Sequence, residues 1–367
     1  WFQLGCFSPI NRLHSSNSGF TSKEPWRYSR DARATMEAHL RLRHRLVPYL
    51  YTWARRSVGE GIGPVRPVYH DHPRELAAYE HRGSFFFGDL LVVPFTSPLD
   101  VATGLGRELT WLPDGVWYDL PTGRRYEATT GGRGRMLSLS RPLDRIAVLA
   151  RAGSVIPLAG NLTEAAGDNP HELEIVVVPG GSGSFTLEED DGSAQPGPDR
   201  IARTHMVLTW PDTEDEDGGD MVLRIRLEGA AEVVAASRLV TVRLLAGQVA
   251  GAWLGVGDRA RRLATEEVSG DGFTLGAGTL VHLEELSRQE LIDGVQLVLR
   301  GTEQSPADWR AEVHAILDAA RVEYMAKDLA WDAVQRGLSG TALLGELEAL
   351  GLPETLRAAV AEVLPHS

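Results

Sequence analysis

The sequence predicts an α/β segment that passes into all-β structure and ends in a short helical tail. Three observations predict this. Up to residue 84 an aromatic, polar stretch leads into a helical apolar period and then a short strand, the element order of a β/α protein. From residue 85 short apolar segments alternate with glycine and proline turn signals, as in antiparallel sandwiches. After residue 300 apolar residues recur at helical spacing. Boundaries are accordingly drawn at 1–84, 85–160, 161–300 and 301–367, the two middle parts being antiparallel β-sandwich domains.

Trp1–Tyr28 packs aromatic residues, Arg12, His14 and several serines together with little periodicity, the character of a functional loop opening from a strand end. Ser29 and Asp31 signal a helix starting near Arg30. Met36, Leu40, Val47, Leu50, Tyr51 and Ala54 form its apolar stripe, Pro48 interrupts it, and Gly59, Gly61 and Gly63 end it. Val65–His72 is expected as a short strand, with Arg66 as a structural ion-pair partner. Phe85–Asp89 opens the continuous apolar run LLVVPF, expected as a fully buried strand. Further strands are predicted at Leu173–Val178, Ser184–Leu187, Arg203–Thr209, Met221–Leu227, Val240–Leu245 and Val295–Leu299. Ser305 is the expected N-cap of the tail, with Pro306 in the first turn. The apolar stripe Val313, Leu317, Ala320 and Tyr324 and the leucines Leu343, Leu347 and Leu350 suggest a small helical hairpin on the sheet, and Leu352–Leu364 a last short helix.

Arg12 and His14 are two residues apart, so on an extended segment their side chains share a direction. Such a pair either donates to a ligand's hydroxyls or merely ties a loop down. Phe7 and Trp26 are candidate aromatic walls of a ligand site, with core packing the favoured role for Trp26. The spacings of His39, His44, His70, His72 and His81 do not make a metal site. Glu188–Asp191 is either a calcium-binding turn or, as favoured, a solvated one. In the acidic run from Thr213 the bidentate Glu that an EF-hand needs at position 12 is replaced by Arg224.

The blocks FSPINRLHSSN, EPWRY, LRLRHRLVPYLYTWARR, GPVRPVYHDHP and FFFGDLLVVPF, in this order, resemble the family 31 glycoside hydrolases. LPDGVWYDLPTG and PLDRIAVLARAGSVIPL are similar to the β-domain that follows the barrel in that family. The resemblance spans about Trp1 to Gly192 and implies the C-terminal end of a (β/α)8 barrel for residues 1–84. It implies a retaining hydrolase of α-glucosidic or α-xylosidic bonds, with α-linked oligosaccharides as substrates, His14 contacting the sugar and Arg12 ordering the site. Retaining chemistry needs a nucleophile and an acid/base carboxylate about 5–5.5 Å apart. The resemblance places both on strands that would precede Trp1, so the chain is expected to be inactive alone. The barrel piece 1–84 is also expected to pack poorly by itself. The rival reading is a non-catalytic carbohydrate-binding or scaffold module.

Net charge is −13, yet residues 1–60 hold 10 Lys/Arg against 4 Asp/Glu, leaving 27 against 46 in the remainder. This reads as an Arg-rich helix exterior facing acidic neighbours, and an acidic bulk argues against nucleic-acid binding. Cys6 is the single cysteine, which excludes an internal disulfide and a multi-cysteine zinc site; a buried, inert thiol is expected. No apolar run reaches the 18 or so residues of a membrane span. No cofactor and no metal are expected, a cytoplasmic location is, and the tail is a candidate homo-oligomer contact.

Overall fold

The computed structural model describes residues 1–129, 131–211, 219–255, 257, 260–305 and 307–365. The chain opens with a short helix, Phe2–Cys6, and an irregular loop broken by a 3-10 turn at Pro25–Arg27. Helix Arg30–Arg45 starts where expected, with Ser29 Oγ accepting from the Ala32 amide. A second helix, Val47–Glu60, carries Pro48 in its first turn and ends on Gly61 at φ +72°. Among the described residues no strand precedes Val65 and no closed barrel forms, which corrects the expected strand end before Arg12. A parallel strand needs hydrogen-bonded neighbours, and these residues supply none.

The buried faces of the two helices differ from the expected stripe. Thr35, Met36, His39 and Leu42 are buried on the first helix, and Tyr49, Thr52 and Trp53 on the second, whereas Leu40 and Tyr51 are exposed. The polar members are tolerated because each bonds the carbonyl one turn back: Thr35 to Asp31 O, His39 to Thr35 O and Thr52 to Pro48 O, at 2.8–3.0 Å. Cys6, Phe7, Leu46, Tyr49 and Trp53 join the same core as Phe87, Phe185 and Val176. These contacts anchor the two helices on the β-structure, while Trp1, Ile10, Phe20 and Trp26 of the same piece stay exposed. The Arg-rich exterior meets acidic neighbours as anticipated: Arg45 pairs with Glu174, and Arg55 with Glu188 and Asp190.

Six strands form the first sheet, in spatial order Val65–Pro67, Phe85–Phe87, Leu90–Val93, Ala147–Arg151, Val116–Asp119 and Arg125–Glu127, every neighbour antiparallel. A separate antiparallel pair, Gly106–Leu112 with Arg135–Arg141, packs in the same core as this sheet. The expected strand Val65–His72 stops at Pro67, and Val68–Asp71 turns helical. Arg66 holds Asp71 in a bidentate ion pair at 2.8–3.1 Å. Leu90–Val93 is the fully buried strand expected, and Gly88 at φ +59° turns Phe85–Phe87 back onto it with Phe87 opposite Leu90. The boundary expected at residue 84 falls inside this sheet.

The second β-unit is a sandwich of a five-stranded and a six-stranded sheet. All six strands predicted there are present, joined by Gly251–Leu254, Arg261–Leu263, Thr265–Val268 and Gly278–Ser287, which were not predicted. Val155–Ala159, assigned above to the first β-domain, is an edge of the five-stranded sheet. Glu172–Val177 and Ser237–Leu245 run parallel, which corrects the all-antiparallel expectation. Every carboxylate of Glu188–Asp191 has a protein partner: Glu188 bonds Arg55 and Arg203, Glu189 bonds buried Arg238, Asp190 bonds Tyr51, and Asp191 pairs with Arg200. The turn is an ion-pair seam rather than a calcium loop or a solvated turn. Of the run Thr213–Asp220 only Gly219 and Asp220 are among the described residues.

The tail is four helices, Trp309–Ala319, Tyr324–Gln335, Gly340–Ala349 and Glu354–Val363, around a core of its own that includes Val313, Leu317, Val334, Leu347 and Val360. Its N-cap is Asp308, accepting from the Arg310 and Ala311 amides, and not Ser305; Pro306 lies outside the described residues. Tyr324 is exposed instead of lining the stripe. The last helix docks on the Arg135–Arg141 strand through one carboxylate. Glu362 accepts from Arg141, Arg124, Tyr126 and the Ser140 amide at 2.6–3.1 Å. No helix among the described residues is long and apolar enough to cross a membrane.

Candidate functional site

The loop that carries Arg12 and His14 is held at its base by the helix behind it. The Arg43 guanidinium donates to the carbonyls of Cys6, Ser8 and Pro9 at 3.0, 2.6 and 2.8 Å. Cys6 Sγ donates to His39 O at 2.7 Å, a second tie to the same helix. Gly5 lies so close to Asn11 that an added Cβ would meet its side-chain oxygen at 2.9 Å. These contacts fix the first turn of the loop, and beyond it the chain runs over the surface.

Arg12 and His14 are both exposed there, on a segment with no regular structure. Both line one cleft of about 680 Å³, together with Lys23, Tyr28 and Met36. Two exposed cationic side chains, an imidazole and a phenol around an open cleft offer a fan of donors, which is what a polyhydroxylated ligand accepts from. Lys23 and Tyr28 were not singled out from sequence. Both lie in the aromatic, polar stretch itself, but nothing in their spacing distinguishes them.

Phe7 does not belong to this cleft. It is 1% exposed and packs edge-on against Phe87 with ring centroids 5.9 Å apart. No ring face is open to stack on a sugar, so its expected role is corrected to core packing. Trp26 reverses its expectation in the other direction, being 64% exposed. Burial pushes the Cys6 thiol up to about 12, Arg43 opposing it in part, so the thiol is protonated at neutral pH and inert.

Within the loop Glu24 accepts from the Ser22 hydroxyl. Glu37 pairs with Arg33 on its own helix, and Asp71 is held by Arg66. No three His, Cys, Asp or Glu side chains among the described residues converge as metal ligands.

A family model of the glycosyl hydrolases family 31 TIM-barrel domain matches residues 1–53, and one of the glycosyl hydrolase family 31 C-terminal domain matches residues 61–156. An alpha-xylosidase of Saccharolobus solfataricus is 31% identical over 192 residues, covering 52% of this chain and 25% of its own. Lysosomal alpha-glucosidase of Mus musculus is 27% identical over 247 residues, covering 63% and 25%. The chain thus spans about a quarter of the length of these relatives. Among solved structures, a GH31 alpha-xylosidase of Xanthomonas citri is 27% identical, with a TM-score of 0.53 over 67% of this chain and 25% of that one. A GH31 dextranase of Flavobacterium johnsoniae, at 19% identity, shares the fold with a TM-score of 0.64 over 82% of this chain and 36% of its own. The second match places its start in the family's C-terminal domain at residue 61, close to the first strand at Val65. Two adjoining family domains in their proper order make residues 1–156 similar to the glycoside hydrolases of family 31, with further β-structure following them.

Proposed function

We propose that this chain supplies the sugar-holding loop and the β-domains of a retaining hydrolase that cleaves terminal α-glucosidic or α-xylosidic bonds. The observation that carries the reading is the open cleft lined by Arg12 and His14, inside the stretch matched by the family's barrel model. In retaining chemistry one carboxylate attacks the anomeric carbon while a second protonates the leaving oxygen, and their roles reverse as water releases the sugar. Barrel strands outside this chain would contribute both groups. His14 would hold the sugar through its hydroxyls and Arg12 would order the site around it. By itself the chain would bind sugar and not hydrolyse it.

The test begins with the reading frame upstream of Trp1, expected to encode barrel strands carrying two acidic residues. Protein expressed with them is expected to hydrolyse aryl α-glucosides or α-xylosides. His14→Ala should then lower kcat/KM by about 10–100-fold, the range for a lost hydrogen bond to a charged group. An unchanged kcat/KM removes His14 from the site, and a frame without such strands overturns the glycosidase reading in favour of a binding module.

A further inference from the structure

A second cleft, of about 310 Å³, lies where helix Val47–Glu60, the first sheet and the sandwich turn Ser182–Ser184 meet. It shares no residue with the cleft of Arg12 and His14. One wall is the reversal Gly88–Asp89, whose backbone is tied at three points. The Gly88 amide donates to Pro64 O at 2.8 Å, Gly88 O accepts from Arg66 at 3.0 Å, and the Asp89 amide donates to the Tyr49 hydroxyl at 2.7 Å. Gly88 has no room for a Cβ, which would strike the Tyr49 hydroxyl and the Trp53 indole nitrogen. The turn is therefore rigid, and it presents the Asp89 side chain to the cleft. Among the described residues that carboxylate has no hydrogen bond or ion pair.

Two further groups face it across the same space. His72 packs on the Trp111 ring, and burial lowers its pKa against the opposing Asp71 carboxylate, so the imidazole favours its neutral form, which both donates and accepts. Arg151 gives one bond, at 3.2 Å, to Asp114 O and has no ion-pair partner among the described residues. Trp117 and Phe86 close the floor, and Ser184 stands at the rim. A carboxylate and a guanidinium, both exposed and without an ion-pair partner among the described residues, line one aromatic-floored cleft with a half-buried imidazole, a polar set of the kind that fixes a small ligand.

The charges select the ligand class. Asp89 repels anions, while Arg56, Arg66 and Arg151 disfavour a cation beside it. Vicinal hydroxyls satisfy all three free groups at once, donating to the carboxylate and accepting from the guanidinium. We propose that this cleft is a binding site for a small neutral polyol of about one pyranose, held by Asp89, His72 and Arg151.

The experiment is isothermal titration of the His14→Ala chain with D-glucose, D-xylose and glycerol at neutral pH, repeated after adding Asp89→Asn or Arg151→Met. With the cleft of Arg12 and His14 disabled, saturable one-to-one binding of a pyranose is expected, weakened at least about tenfold by either addition, the loss of a charge-assisted bond. Because His14 is already removed, the outcome is independent of the hydrolase reading. Asp89→Asn should unfold like the parent protein, since the carboxylate touches no partner; a shifted unfolding midpoint makes Asp89 structural and overturns the assignment. Absence of saturable binding in the His14→Ala chain, or binding that survives both cleft substitutions, overturns it too.

Discussion

Replacing Glu362 by Gln should release the helical tail from the β-domain. The carboxylate is 1% exposed, as is the rest of its side chain, and it faces Arg141, 3% exposed, and Arg124. One oxygen accepts from Arg141 and Tyr126 at 2.6 Å each and from Arg124 at 3.1 Å; the other takes the Ser140 amide at 2.6 Å. Gln keeps the shape but removes the charge and turns an amide toward donors. Asp119 then remains for Arg141 and Glu312 for Arg124. Arg141 and Arg124 each lose one of two carboxylates, and a buried donor left unsatisfied costs about 1–3 kcal/mol. The loss falls on the contact between tail and sheet, so the tail should undock before the sandwich unfolds. Urea titration read by proteolytic cleavage between residues 300 and 320, alongside Trp fluorescence, separates the two events.

The pH dependence follows from the same contacts. Burial raises the Glu362 pKa, but Arg141 and Arg124, with the bonds from Arg141 and Tyr126, outweigh it and hold the group below its ordinary value of 4.5. A depressed carboxyl contributes stability that is present above the unfolded pKa and lost as pH falls through the folded one. Tail docking should therefore be flat above pH 4.5 and weaken below it, and in Glu362→Gln this acid transition should be absent. A Gln variant within about 0.5 kcal/mol of the parent, the scatter of ordinary surface substitutions, would refute the argument.

Gly88→Ala forces a side chain at φ +59° and into the Tyr49 hydroxyl, so a loss of at least about 2 kcal/mol in urea unfolding is expected, and a neutral result would remove the rigidity claimed for this turn. Cys6 should resist thiol reagents at pH 8 until the chain is unfolded, because its thiol is pushed up to about 12; rapid labelling of native protein contradicts this. Arg43→Lys replaces a planar fork by a point donor and should speed amide exchange across residues 5–14 while leaving the sandwich protected; unchanged exchange would show that the three carbonyl bonds do not hold the loop.

Local order was legible in the sequence wherever a short-range rule governs it. The cap at Ser29, the break at Pro48, the stop at Gly61 and six strands of the sandwich depend on residues within one or two turns of each other, and all are where the pattern put them. The family was legible for a different reason: several blocks in fixed order are specific even when no single block is. Side-chain fate was not legible. Phe7 and Trp26 exchanged their expected environments because burial depends on what lies opposite, here Phe87 for one and solvent for the other. Thr35, His39 and Thr52 look like surface residues in a helical stripe until their backward hydrogen bonds allow them inside. Glu189 with Arg238, and Glu362 with Arg141, read as ordinary surface charge in composition, yet both pairs are buried across distant segments. The parallel pairing of Glu172–Val177 with Ser237–Leu245 is likewise silent in either strand alone. Sequence by itself determined periods, stops and family, which local backbone chemistry encodes. Tertiary structure decided partners, burial and which polar groups remain free to bind, because these are properties of contacts between residues far apart in the chain.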